Sequence, residues 1–505
     1  MHWGVARTRA ALALVAVAAV GALALSGGAS TDPRTPPALP GLPPPFLTVA
    51  VLGDGGLTAG IDAYGDVVDL RAGPAGPALI DNPHERQVAG SVPADTGIVP
   101  LATIGGGPPQ PFWRADSVRQ RHLRGTNVLR TVARFGDARV VIECAARGSE
   151  VGCVGRGPHS FRLALLGGTG RVHLDDDRAR GIVARETAVA RGWLRRARPL
   201  GAAAPAWARR LYERSLLVMR ALTDRRSGAV AAGARDGWAH VWPRDAGAVA
   251  IALAAGGYRR EARRAATFLL GLDLGAAARF DGAGEPVAGR EAQGDAAGWA
   301  AAAARAAGIP ARVAPLDSRA RADYQEKSPG DHLANALATA DGPISRPIGA
   351  FSARRREWQG FLTRRGLVRV AGDPGSGLDT AAAWAVRPFP QPGLFGPARR
   401  TLLRLAAQGG RFGIVPSEDW HEPDPWTAPT AWSAWSLAAL GKRRAALALL
   451  ADLRRAATPA GLLPERVDAR TGVPRSTAPL AWSHAFAVLA LRSLYSGHGG
   501  AAGDA

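Results

Sequence analysis

LAAGGYRREARRAATFLLGL, residues 253–272, and LAALGKRRAALALLADL, residues 437–453, share one pattern. Each is the end of a helix, a glycine stop, and a second helix that starts with arginines. Glycine stops a helix because it takes the left-handed backbone conformation just past the last helical residue at little steric cost. Two helices joined by so short a turn pack antiparallel. The stretch from residue 200 to 496 keeps this texture, with long Ala- and Leu-rich runs at helical spacing. A series of helical hairpins closes into a toroid, an (α/α) barrel, or extends as a solenoid. The loops between these helices are long and rich in Trp, Asp and Glu, which favours a barrel with one functional mouth.

Upstream the texture differs. LTVAVLG, GLTAGIDAYGDVVDL, NVLRTVARFG, ARVVIECAARG and FRLALLGG are short alternating segments separated by Gly, Pro and Asp. They predict a β-sandwich domain over residues 47–199, ahead of the helical domain. Residues 1–30 read as a signal peptide or membrane anchor. Arg7 and Arg9 precede an apolar run from Ala10 to Leu25, and Ala22-Leu23-Ala24 offers a small-residue cleavage site. Residues 31–46 form a proline-rich spacer, and 497–505 a disordered tail. The two cysteines, Cys144 and Cys153, flank a turn-like AARGSEVG. In an exported chain a close pair predicts a hairpin disulfide, with two buried thiols as the alternative.

The net charge of +21 invites a nucleic-acid reading. Against it, only two lysines occur, Lys327 and Lys442, and the arginines are scattered through helical segments instead of forming one block. The expected surface is a solvated one with no nucleic-acid partner.

Chemistry concentrates in clusters beside the helical runs. GWAHVWPRDAGAVAIALAAGG gathers Trp238, Trp242, Arg244 and Asp245 before an apolar helix. Aromatic faces pack on pyranose rings while Arg and Asp hydrogen-bond hydroxyls; an Asp here also suits a helix cap. The WPRDA stretch resembles the substrate-binding segment of glycoside hydrolase family 15, the glucoamylases. That resemblance implies that Arg244 and Asp245 hold a terminal glucose, with Trp242 beside them as a candidate sugar-binding ring. Gln293 and Asp295, in GREAQGDAAGW, resemble a family segment lining the same subsite. GLLPERVDARTGVPRSTAPLAWSHAFAVLAL is similar to the family stretch that carries the general base, which falls on Glu465, with Trp482 at the start of the last helix. His484 reads as structural.

ADYQEKSPG resembles the segment that carries the general acid, which falls on Glu326, although Gln325 stands where bacterial members have tryptophan. Glu357, in RREWQG, is the alternative acid. RFGIVPSEDWHEPDPWTAPTAW resembles a substrate loop of the family, with Trp426 matching and Glu418 and Asp419 as candidate sugar ligands. The arginine expected early in that loop is missing or displaced to Arg411. The implied activity is exo-acting, inverting hydrolysis of an α-glucoside, with no metal or cofactor and a saccharide as partner. Inversion requires the two carboxyls to lie ~6.5–9.5 Å apart. The competing expectation is a carbohydrate-binding cell-envelope protein on the same scaffold.

Overall fold

The computed structural model describes the chain from residue 38 to residue 496, apart from 82–96, 158–160, 168–169, 236, 312, 315, 318–320, 327–328 and 341–357. The expected export segment, most of the proline-rich spacer, the C-terminal tail and Glu357 lie outside the described residues.

Both halves of the repeated pattern form as expected. Helix α3 (Pro243–Ala255) is followed by Gly257 at φ 95°, and α4 (Arg259–Leu270) starts two residues later. Tyr258 N–H reaches back to Leu253 O and Gly257 N–H to Ala254 O, a pair of bonds that satisfies the last carbonyls of α3. Between α8 (Thr427–Ala439) and α9 (Arg443–Ala456) the same two bonds recur, from Lys442 to Leu437 O and from Gly441, at φ 72°, to Ala438 O.

The helices fall into two kinds. In α3, α5 (Ala296–Ala307), α8 and α10 (Ala481–Tyr495), long runs such as Pro243–Leu253 and Ala481–Leu491 are buried on every side. In α4, α7 (Phe395–Gln408) and α9 a single stripe is buried, for example Ala262, Ala265, Ala266 and Leu269 in α4. A helix apolar all round has no solvent face and must be an inner element; a striped one covers it from outside. The inner elements contact one another in sequence: α3, α5, α6 (Leu333–Ala340), the 3₁₀ turn Thr380–Ala385, α8 and α10. Helix α10 returns to α3 and closes the ring, while α2 (Ala206–Leu222) packs outside α10. The helical domain is therefore a closed double layer and not a solenoid. Aromatic rings fill its axis edge to face. Trp299 meets Trp384 at 5.1 Å, Trp384 meets Trp432 at 5.4 Å, and Trp432 meets Trp482 at 5.1 Å.

The expected N-terminal strands are present and lie in three sheets. The first has the order β1 (Ala50–Gly53), β2 (Thr58–Ile61), β3 (Val67–Arg71), β4 (Ala78–Asp81). The second joins β5 (Val99–Ile104) to β6 (Gln110–Pro111) and β11 (Phe161–Leu166). The third has the order β12 (Val172–Leu174), β10 (Glu150–Gly155), β9 (Ala138–Arg147), β8 (Leu129–Phe135), β7 (Ser117–His122). Cys144 and Cys153 are register partners on β9 and β10 and form a disulfide.

One expectation needs correction. The change to helical texture comes before residue 200, because α1 spans Asp177–Leu194 and packs on β9 and β10. Its signal is in the sequence: Asp176 caps Ala179 N–H, and Ala179, Ile182, Val183, Glu186 and Ala190 repeat at helical spacing on the buried face. The two parts share one main core. One cluster of buried residues runs from Phe46 to Tyr495. The approach is close enough that a Cβ on Gly60 would meet Ala234 O at 2.5 Å.

The turn between β2 and β3 holds two buried carboxyls. Asp62 accepts N–H bonds from Phe46, Tyr64 and Asp66 at 2.7, 2.8 and 2.9 Å. Asp66 is fully buried, and its carboxyl lies against that of Asp62, to which it can donate only when protonated. Burial pushes the affinity of both groups for protons up, and the neighbouring Asp62 charge pushes Asp66 further. A carboxyl with a raised folded pKa binds protons on folding, so its stabilising contribution is lost as pH rises above the ordinary carboxylate range. Asp66→Asn should therefore melt at a higher temperature than the parent at pH 8, with the gap closing toward pH 4. Parallel melting curves across that range would show that Asp66 does not titrate on folding.

Candidate active site

The inner helices begin at one end of the ring, and several residues of the site sit on their first turns or just before them. Arg244 and Asp245 open α3, Asp295 precedes α5, Asp379 caps the 3₁₀ turn, Trp426 precedes α8 and Trp482 opens α10. Free backbone N–H groups and the positive end of the helix dipole favour acidic side chains at such positions.

Arg244 joins three of these helices. Its Nη1 donates to Gln293 Oε1 at 2.6 Å and to Asp295 Oδ2 at 3.1 Å. The guanidinium also lies 4.7 Å from the centroid of the Trp482 ring. Asp245, 3% exposed, has no ion-pair contact with Arg244, and its Oδ1 is buried without a partner. Burial drives its pKa up to about 7, against the pull of Arg244 and with the charges of Glu465 and Asp295 adding to the rise. Arg244 Nε, Trp242 Nε1 and Trp482 Nε1 are likewise buried and unpartnered. So many orphaned polar atoms in one place are costly unless a polar ligand completes them.

Glu465 is held from both sides. Trp238 Nε1 donates to its Oε1 at 3.3 Å and Ser476 Oγ to its Oε2 at 2.5 Å. Its backbone N–H binds Thr477 O and its carbonyl accepts from Thr427 N–H, which ties the loop to the start of α8. His484 supports the same loop from below. Leu463 N–H donates to His484 Nε2 at 3.0 Å, so the ring proton sits on Nδ1 and goes to Ser215 Oγ at 2.9 Å. Burial lowers the His484 pKa to about 3, in keeping with a neutral ring. Burial also raises the pKa of Glu465, opposed by Ser476, Trp238, Arg290 and Arg235. A carboxylate with a raised pKa is a stronger base while it stays ionised.

Glu326 ends a turn whose other side chains are locked in the core. Asp323 Oδ1 accepts from Gln325 N–H at 3.0 Å, and Asp323 O from Glu326 N–H at 2.9 Å. Tyr324 packs on Trp384 and Trp432, each at 5.4 Å, and its hydroxyl donates to Asp379 at 2.8 Å. Gln325 donates to Tyr324 Oη at 3.0 Å and to Asp379 at 3.3 Å, and accepts from Ser417 Oγ at 3.1 Å. The turn leaves Glu326 at φ 59°, the left-handed region, with its side chain 38% exposed and ion-paired to Arg290. The Arg290 guanidinium lies 5.7 Å from the Trp242 ring centroid and within the field of Glu465.

The remaining expected residues lie behind or beside this cluster. Asp419 accepts from Ser417 and pairs with Arg369 at 3.0 Å. Trp426 stacks edge-on with Trp420 at 5.1 Å and leaves its Nε1 buried without a partner. The Glu418 carboxylate accepts from Leu378 N–H at 2.9 Å and pairs with Arg365 and Gln408. It borders a cavity of about 400 Å³ whose lining includes Phe412, Ile414, Pro423 and Pro425 and none of the Arg244 cluster.

Ser476, Arg290, Tyr324 and Asp379 were not among the expected site residues, and the bond from the Trp238 N–H to Glu465 was not foreseen. Ser476 had a signal, since it lies inside the motif-bearing stretch after Glu465. Arg290 had only its place three residues before Gln293.

No family model matches this chain, and no curated protein matches it in sequence. Solved structures do. A bacterial glucoamylase complexed with acarbose superposes with a TM-score of 0.63 at 13% identity, over 91% of this chain and 94% of that one. A wild-type glycosidase gives a TM-score of 0.47 at 20% identity, covering 57% of this chain and 97% of the other. The glucoamylase of Saccharomycopsis fibuligera gives 0.47 at 12% identity, over 57% and 94%. At such identities the first likeness is one of architecture, and by architecture the chain has the fold of that bacterial glucoamylase.

Proposed function

We propose that this protein is an exo-acting, inverting hydrolase of α-glucosides. The observation that carries the reading is the buried floor: Asp245 Oδ1, Arg244 Nε, Trp242 Nε1 and Trp482 Nε1 are all unpartnered in one cluster, next to a carboxylate held by two donors. That set suits the several hydroxyls and the apolar face of one terminal sugar. A floor closed by the aromatic axis leaves no path for a chain to pass through, which supports release of a terminal unit.

In this reading Glu465 takes a proton from water as the water oxygen attacks the anomeric carbon. Glu326 gives a proton to the leaving oxygen as the bond from that oxygen to the anomeric carbon breaks. The products are the β-anomer of the sugar and the free alcohol. Trp238 and Ser476 keep the Glu465 carboxylate oriented toward that water. A protein that only bound sugar would have no need of the base. Export belongs to the same reading and is supported by the Cys144–Cys153 disulfide, a bond that persists in oxidising compartments.

NMR of the first-formed sugar from an α-glucoside should show the β-anomer; the α-anomer would overturn inversion. Asp245→Asn removes a charge-assisted hydrogen bond, typically about 1.5–3 kcal/mol, so kcat/KM should fall roughly ten- to a hundredfold with the melting temperature held or raised. Unfolding without a specific loss would make Asp245 structural.

Glu465→Gln should lose about 10²–10⁴-fold in kcat. Azide, which needs no deprotonation, should restore turnover and yield the β-glucosyl azide. Glu326→Gln should lose as much on glucosides with poor leaving groups but far less on α-glucosyl fluoride, whose departure needs no acid. Equal losses on both substrates would assign the acid to another carboxyl.

A further inference from the structure

Arg290 was not among the residues expected at the site, yet it contacts two of them and lies in the field of a third. Its backbone is fixed in the loop before α5, where Arg290 O accepts from Ala278 N–H at 3.2 Å. Its guanidinium pairs with Glu326, covers the Trp242 ring at 5.7 Å and sits in the field of Glu465. A second arginine, Arg279, lies close enough to repel it and is anchored by Gly237 O and Ala288 O, each at 3.3 Å. Arg290 thus stands on the Glu326 side of the mouth, where a leaving group would lie. Resting on the acid and base assignments made above, we propose that Arg290 selects glucosides whose leaving group carries an anion, a carboxylate or a phosphate.

The reason is an exchange of partners. A cation on a carboxylate favours its charged form, and a charged Glu326 has no proton to give. A neutral leaving group offers Arg290 nothing in exchange, so the pair persists, and it tightens as the sugar excludes water. An anionic leaving group takes the guanidinium. Glu326 is then left beside a negative charge, takes a proton from solvent, and passes it to the leaving oxygen as the bond to the anomeric carbon breaks. Glu465 meanwhile accepts the proton of the attacking water, so one water is consumed and no other reagent is needed. The pair is partly exposed, with side chains 43% and 38% accessible, so it opens readily before the substrate seals the mouth.

Three α-glucosides with the same three-carbon aglycone test this: glucosyl glycerol, glucosyl glycerate and glucosyl glycerol phosphate. The wild type should cleave at least one acidic substrate roughly ten- to a hundredfold faster in kcat/KM than the neutral one. The two acidic arms show which anion is preferred. The ratio should shrink in high salt, survive in part in Arg290→Lys, and fall to about one in Arg290→Gln. A neutral substrate cleaved as fast as both acidic ones, or a preference that survives in Arg290→Gln, overturns the proposal. Calorimetry with glycerate, glycerol phosphate and glycerol alone separates it from the hydrolase reading. Anion binding that is lost in Arg290→Gln, with all three glucosides left intact, would retain the anion site and discard the hydrolase. Turnover with no anion preference and no anion binding would do the reverse.

Discussion

The guanidinium of Arg244 is the point on which the site depends. It takes Gln293 and Asp295 from the segment leading into α5, lies over Trp482 of α10, and is itself on the first turn of α3. Three inner elements are thereby held in one register. Arginine suits the position because its flat, always-charged group can stack on an indole while donating in its own plane. With Arg244 committed to Gln293 and Asp295, Asp245 Oδ1 is left without a partner, and burial raises the affinity of the carboxyl for a proton. The free valence that a ligand would complete is thus a consequence of how the arginine is used.

A second constraint comes from the ring itself. Inner helices are buried on all sides, so only their ends meet solvent. Acidic groups gather at their N-termini, where backbone N–H groups and the helix dipole offset part of the cost of burying them. Asp379 shows both sides of that balance: it accepts Ala381 N–H at 2.6 Å and Tyr324 Oη at 2.8 Å, yet burial still raises its pKa to about 7. Beneath these ends the edge-to-face indoles give the site a rigid, dry base. Tyr324 connects that base to the Glu326 turn, so the exposed carboxylate at the lip is positioned by packing at the axis.

The N-terminal sheets share the barrel's core and reach the base loop. His122 on β7 has one ring nitrogen 3.1 Å from Ala460 O, just upstream of Glu465, and the other 3.2 Å from Val51 O on β1. His484 and Ser215 hold the same loop from the helical side. The loop that carries the candidate base is therefore gripped between the two halves of the protein. That argues for the N-terminal sheets as part of the framework of the site.

The sequence by itself determined the helical hairpins, because a glycine stop acts through bonds to carbonyls three and five residues back, as at Gly257 and Gly441. It also marked Trp242, Arg244, Asp245, Gln293, Asp295, Glu465 and Trp482 through local motifs. Only the tertiary structure decided the partners. Trp238 and Glu465 are 227 residues apart, and Tyr324 and Asp379 are 55 apart, and no local pattern encodes such a meeting. The same holds for Arg290 against Glu326 and for Glu418 against Arg365. An arginine among 63 lysines and arginines has no sequence mark that sets it apart. What gives it a role is the position of its charge relative to two carboxylates and an indole, and that is fixed only when the ring closes.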